Sequence, residues 1–221
     1  MGKSIAIDGP AGAGKSTIAK LVAKELGFIY VDTGAMYRAM ALFLIRNGID
    51  RNDTAGIERA CEDADISIMH EDGRQVVLLG GENVNDFLRL EEVGNMASAS
   101  SANAKVRTKL VSLQQKLAQN ENVVMDGRDI GTVVLPDSRC KIYLTASVEV
   151  RAKRRYDELR EKGLDADLKK IGDDIAARDE QDMTRKNSPL KQADDAVLID
   201  SSDMSIEEVK DAIVALAKER L

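Results

Sequence analysis

The stretch KSIAIDGPAGAGKSTIAKLVAKELG, residues 3–27, decides the fold class. Lys3 to Asp8 reads as a short buried strand through Ile5, Ala6 and Ile7. Ser16 to Leu26 carries helical periodicity at Ile18, Leu21, Val22 and Leu26, and Gly27 stands where a helix-ending glycine belongs. Between them, Gly9-Pro10-Ala11-Gly12-Ala13-Gly14-Lys15-Ser16 matches G-x-x-x-x-G-K-[ST] in full, with a strand before it and a helix after it. Backbone N–H groups of such a loop converge on a concave nest, and the helix N-terminus adds positive potential, so the expected ligand is a polyphosphate. Lys15 is placed to neutralise β- and γ-phosphate charge and the Ser16 hydroxyl to bind Mg²⁺, with Thr17 next on the helix. The glycine spacing does not fit G-x-G-x-x-G, which disfavours a nicotinamide enzyme.

Outward from this loop, strands alternate with helices. Phe28–Asp32 predicts a strand and Thr33–Asn47 a helix stopped by Gly48. Asn52–Ala64 predicts a short helix. The pattern then changes to short antiparallel strands at Ile66–Met69, Gln75–Leu79 and Glu82–Val84, with turns at Glu71-Asp72-Gly73 and Gly80-Gly81. Glu91–Asn120 predicts one or two helices. Strands follow at Asn122–Asp126, Lys141–Thr145 and Ala196–Asp200, and helices at Val148–Lys162, Leu168–Arg185 and Ile206–Leu221. The fold class is therefore α/β, a five-stranded parallel sheet covered by helices on both faces, with a small antiparallel β insertion. Ligands of such sheets collect beyond the carboxyl ends of the strands, where Asp8, Asp32, Asp126 and Thr145 fall.

Composition narrows the partners. The 221 residues carry a net charge of −6, which argues against generic binding to nucleic acid or an anionic membrane. Aromatic residues make up 3% and Trp is absent, so base-stacking platforms are disfavoured too. No transmembrane run or secretion pattern is visible, and a cytoplasmic location is expected. Cys61 and Cys140 show no metal-ligand spacing and read as two ordinary, partly buried thiols. His70, the only histidine, lies beside Glu71 and Asp72 and reads as a surface residue of a polar turn.

A GTPase would carry a guanine-reading N-K-x-D, which this sequence lacks. A motor ATPase would need a large coupling domain, for which the chain is too short. Basic clusters instead point to a second anion. Arg38 begins a helix after Asp32-Thr33-Gly34, and Arg128 follows the strand end at Asp126. Arg178, Asp182 and Arg185 are spaced i, i+4, i+7, which puts them on one helix face. Arg151, Lys153, Arg154 and Arg155 load another helix start, as either a solvated face or a phosphate-binding one. Arginines at the phosphate end of the sheet suit bidentate phosphate contacts.

At this point the sequence resembles a known family. Gly9-Pro-Ala-Gly-Ala-Gly-Lys-Ser-Thr17, Asp32-Thr-Gly-Ala-Met-Tyr-Arg38 and Asp126-Gly-Arg-Asp-Ile-Gly-Thr132 together look like bacterial cytidylate kinase, and Arg178–Arg185 and Ala196–Ser201 extend the match. The resemblance implies a nucleoside monophosphate kinase fold of one domain, residues 1–221. Its core would be 1–33, 120–150 and 190–221, its monophosphate-binding lobe about 34–119 and its helical lid about 151–170. It implies phosphotransfer from ATP, with Mg²⁺, to CMP and dCMP, by a monomer. Thr33, Tyr37, Arg38, Ser98, Arg107, Arg128, Asp129, Arg178, Asp182 and Arg185 would contact CMP or its phosphate. Ser98 and Arg107, which by themselves read as helix-surface residues, would face the cytosine edge. Lys15, Arg128, Arg154 and Arg185 would carry catalysis, and Ser16 and, through water, Asp126 would hold the metal. The acceptor phosphate is already ionised at neutral pH, so positioning and charge stabilisation suffice without a general base. The alternatives are another small-molecule kinase acting on UMP, AMP or shikimate, and a non-catalytic ATP-binding regulatory module.

Overall fold

The computed structural model describes residues 2–71 and 74–221. Strand β1 (Ser4–Asp8) runs through the glycine-rich loop into helix α1 (Lys15–Leu26), which ends where Gly27 adopts φ 67° and donates its N–H to Ala23 O. Strand β2 (Ile29–Asp32) passes without a linker into α2 (Thr33–Arg46), and Asp32 caps that helix by accepting the Ala35 N–H. Helix α3 (Thr54–Ala60) starts later than its polar approach suggests, because Asp53 takes the capping position and accepts the Gly56 N–H. Strands β3 (Ile66–Glu71), β4 (Arg74–Leu79) and β5 (Glu82–Asn83) form the antiparallel insertion, with Ile66 opposite Leu79 and His70 opposite Gln75. Gly80 and Gly81, both at positive φ, make the second turn. Asp72 and Gly73, the centre of the first expected turn, lie outside the described residues.

The long stretch after the insertion is two helices, α4 (Glu91–Ser100) and α5 (Ala104–Asn120). Asn103 divides them, since its side chain accepts the N–H groups of Lys105 and Val106 and so starts a new helix. Strand β6 (Val123–Gly127) is followed by a π-type turn at Ile130–Val134, then β7 (Cys140–Thr145), α6 (Val148–Glu161), α7 (Leu168–Thr184), β8 (Val197–Asp200) and α8 (Ile206–Arg220). The large sheet has the order β2-β6-β1-β7-β8. β7 is parallel to β1, with Ile5 opposite Cys140, and also to β8. Successive residues Ile5, Ala6 and Ile7, and likewise Val123, Val124 and Met125, are fully buried, so both faces of the central strands are covered. Burial alternates along β8, as suits an edge strand.

The chain divides into two compact units. The phosphate-loop unit comprises Ser4–Gly27 and Val124–Leu221, and in it α1 packs against α8 through buried Ile18, Val22, Val209 and Ile213. The hairpin unit comprises Phe28–Val123 with the residues before Ser4. Its core joins Met36, Met40 and Leu44 of α2 to Ile66, Val77 and Leu79 of the insertion and to Val106 and Leu110 of α5. Cys61 and Cys140 are both buried and free, and burial pushes the Cys140 thiol up to about 11, so neither is a reactive thiolate. His70 departs from the expected surface turn. It is the last but one residue of β3, is half-buried, and its Nε2 donates to the Tyr30 carbonyl at 3.0 Å, because the strand runs two residues further than its apolar pattern.

Candidate active site

In the phosphate-loop unit the loop is fixed from three sides. Gly9 lies so close to β7 that a Cβ there would meet Leu144 O at 1.9 Å, which admits only glycine. Gly14, at φ 83°, is the N-cap of α1 and leaves the first helical N–H groups without a side-chain cap, open to an anion. The Ala11 peptide is clasped by a buried ion pair. Asp179 of α7 accepts its N–H at 3.2 Å, Arg151 of α6 donates to its carbonyl at 2.8 Å, and the two side chains meet at 2.7 Å. Arg151 also donates to Ala146 O. In the sequence Arg151 belongs to a basic helix start open to either a solvated or a phosphate-binding reading, and Asp179 does not stand out among the charges of its helix. Their burial, 4% and 7% exposed, identifies them as supports of the loop.

Lys15 is buried at the start of α1, and its Nζ donates to Pro10 O at 2.6 Å. Burial, and then the Arg128 guanidinium, hold its ammonium well below the usual lysine range, at about 7. A bound polyphosphate would reverse that shift by supplying negative charge. Asp8, at the end of β1, is buried and accepts the N–H groups of Ile130 and Gly131, each at 2.7 Å. Burial pushes its carboxyl up to about 6 against the lowering effect of those two hydrogen bonds. Asp8 thus ties the strand that leads into the phosphate loop to the turn that follows Arg128 and Asp129. Its place at a strand end was visible in the sequence; its partners were not.

The Ser16 hydroxyl donates to Asp126 Oδ2 at 2.9 Å, and Asp126 is buried. These are hard oxygen ligands of the kind Mg²⁺ accepts. Among the described residues no group of three or more His, Cys, Asp or Glu side chains could hold a metal alone. Ser16 and Asp126 could supply one or two oxygen ligands to such an ion, which otherwise keeps water or phosphate oxygens. Thr17 is exposed on α1.

Beside Asp126 the structure gathers four of the expected residues. Arg128 Nε donates to Asp182 Oδ2 at 2.7 Å; Arg185 lies 3.6 Å from Asp182 and 3.9 Å from Asp129. Arg185 is also held by the Ser188 carbonyl at 2.7 Å. The helix-face reading of Arg178, Asp182 and Arg185 needs correcting. α7 ends at Thr184, so Arg185 is the C-cap with extended backbone and meets Asp182 from beyond the helix, while Arg178 is exposed. Arg154 donates to Ser201 O at 2.7 Å and to Ser201 Oγ at 3.3 Å, at the start of the β8–α8 connection.

The hairpin unit carries the remaining expected residues. Thr33 is buried at the first position of α2. One turn on, a Cβ on Gly34 would lie 3.3 Å from Arg38 Nη1, so the guanidinium passes over that glycine. Arg107 was read from the residues alone as a surface position of α5, but it is buried, 5% exposed. Its guanidinium lies 5.6 Å from the Tyr37 ring centre, and its Nη1 donates to Ser101 O at 3.3 Å. A cation on an aromatic face is stabilised when desolvated, which permits this burial. Ser98 is half-buried on α4, and its carbonyl accepts from Ser101 Oγ. Ser101 thus links the Ser98 and Arg107 segments.

The sequence profile described as cytidylate kinase matches residues 5–219. A cytidylate kinase of Caldicellulosiruptor bescii is 52% identical over 213 residues, 96% of this chain and 94% of that one. One of Streptococcus pneumoniae is 48% identical over 218 residues, 98% of each chain. Among solved structures, an uncharacterised protein of Eubacterium ventriosum superposes with a TM-score of 0.52 at 14% identity over 100% of both chains, a likeness of fold alone.

Proposed function

Because this chain belongs to the cytidylate kinase family, we propose that it transfers the γ-phosphoryl group of ATP to CMP and dCMP, giving ADP and CDP or dCDP. A phosphate oxygen of CMP forms the new bond to phosphorus as the bond from Pγ to the oxygen of ADP breaks. The observation that carries this reading is the pair of arginines, Arg128 and Arg185, clustered with Asp182 and Asp129 in the same unit as the phosphate loop. An ATP-binding regulatory module needs the loop but not a second set of guanidiniums.

In this proposal the residues Gly9–Thr17 hold ATP, with Lys15 on the β- and γ-phosphates. Arg128 and Arg185 receive the acceptor phosphate, displacing part of their contact with Asp182, while Asp182 and Arg178 turn toward the sugar. Thr33, Tyr37, Arg38, Ser98 and Arg107 of the hairpin unit read the nucleotide, Ser98 and Arg107 at the cytosine edge. Mg²⁺, when bound with ATP at Ser16 and through water at Asp126, neutralises charge on the transferring group. Arg154 exchanges its Ser201 contacts for the transferring phosphoryl group when a lid formed by about 151–170 closes, which excludes water and so limits ATP hydrolysis. Among the described residues no helix is long and apolar enough to cross a membrane.

A coupled ADP-release assay across CMP, UMP, AMP and GMP, with shikimate as a further acceptor, tests the function. CMP should be turned over fastest, with UMP poor and the others near background. Faster turnover of AMP or shikimate would replace the substrate, and ATP binding without turnover of any acceptor would favour a regulatory module.

A further inference from the structure

The β insertion makes contacts that neither its strand pairing nor its core explains. β2 stands at the end of the large sheet, so its outer edge presents backbone groups to no further strand. Two insertion side chains meet them. Gln75 accepts the Asp32 N–H at 2.7 Å through Oε1 and donates to the Asp32 carbonyl at 3.1 Å through Nε2. His70, its register partner across the hairpin, donates to the Tyr30 carbonyl at 3.0 Å. Together they engage alternate residues of the strand edge as a further strand would. Gln75 is itself fixed, since Asn85 Nδ2 donates to its carbonyl while Asn85 Oδ1 accepts the Val77 N–H.

The grip falls at a junction that matters. Asp32 both ends β2 and caps α2, and Thr33 begins the helix with no residue between. Any shift of the Asp32 peptide is therefore passed to Thr33, Gly34 and the turn bearing Tyr37 and Arg38. The same hairpin also holds the far end of α2, where Arg46 pairs with both oxygens of Glu82 at 2.6 and 3.0 Å. Insertion and helix share a core through Met36, Met40, Val77 and Leu79. A brace fixed at both ends of one helix sets that helix's position as well as its stability.

We infer that Gln75 is a positioning residue for the acceptor nucleotide, holding the Asp32 peptide so that the first turns of α2 meet it. The inference rests on the reading that Thr33, Tyr37 and Arg38 bind CMP. It assigns the insertion a task in substrate recognition carried out through backbone hydrogen bonds, without Gln75 touching the ligand.

Steady-state kinetics and amide hydrogen exchange on the full chain test it, using Gln75→Leu, Gln75→Glu and Arg38→Ala. Gln75→Leu removes both bonds at similar size, and the KM for CMP should rise about tenfold, the effect of losing one or two hydrogen bonds. The KM for ATP should stay within about twofold, kcat within about threefold, and the Asp32 amide should lose exchange protection. Gln75→Glu retains an acceptor for the N–H and should fall between Leu and the parent. A normal KM for CMP in Gln75→Leu beside a raised one in Arg38→Ala would overturn the positioning role and leave the acceptor site standing. Normal values in both would overturn the acceptor site and the inference with it. Equal increases for ATP and CMP in both Gln75 variants would mark a merely structural contact and also overturn it.

Discussion

The two units hold their expected site residues in opposite ways. In the phosphate-loop unit, charge is buried at high density: Lys15, Asp8, Asp126, Asp129, Arg151 and Asp179 are all nearly inaccessible, and each is paired or hydrogen-bonded. In the hairpin unit the corresponding residues lie on three helices around an apolar core, with Arg107 on the Tyr37 ring as the buried charge among them. The contrast follows from the proposed tasks. Holding a triphosphate and a transferring phosphoryl group needs fixed dipoles and charges in a low-dielectric setting, where they act most strongly. Reading a nucleobase needs a shape and a few placed hydrogen-bond partners, and in the proposal these come from side chains on helices packed around that core.

The comparison breaks first at Lys15. Lys15→Ala should lower kcat by about 10²–10³-fold, the scale of removing one stabilising group from a transition state that develops charge. Circular dichroism should show the fold retained, because the lysine's burial opposes its own charge. Near-normal turnover would remove the phosphate loop from the chemistry. A smaller effect sharpens the same point. Free Lys15 loses its proton near 7, so at pH 8 it is mostly neutral, and polyphosphate favours the ammonium. ATP binding at pH 8 should therefore take up close to one proton. The uptake should vanish toward pH 6, where the lysine is already charged, and should be absent in Lys15→Ala. Calorimetry in buffers of different ionisation enthalpy measures it; proton release instead of uptake would contradict the buried, neutralised lysine.

The same contrast explains what could be read in the sequence. The loop was legible because its chemistry is contiguous: eight residues between one strand and one helix carry glycines, lysine and hydroxyl at fixed offsets. The alternating strands and the hairpins follow from local periodicity, so most elements lie within a few residues of expectation; the division of 91–120 at Asn103 was left open between one helix and two. The supports were hidden. Arg151 and Asp179 are 28 residues apart in sequence, on helices so charged that neither reads as a support of the loop, and only their packing on Ala11 separates them from their neighbours. Arg107 looked exposed because an arginine in a polar helix normally is; the aromatic face that permits its burial comes from α2, 70 residues earlier. Arg185 was correctly grouped with Asp182, but by helical spacing, whereas the contact is made after the helix has ended. Resemblance to the family supplied Ser98 and Arg107; no periodicity would have.

The division of labour is tested most directly by crossed binding titrations, CMP and a non-hydrolysable ATP analogue each titrated into Lys15→Ala and Arg107→Met. Lys15→Ala should lose at least about tenfold in affinity for the analogue and keep CMP within about threefold, while Arg107→Met should do the reverse, each on the scale of one charged hydrogen-bonding partner. If either substitution weakened both ligands alike, Lys15 and Arg107 would not serve separate substrates, and the assignment of ATP phosphate binding to the one and base reading to the other would be wrong.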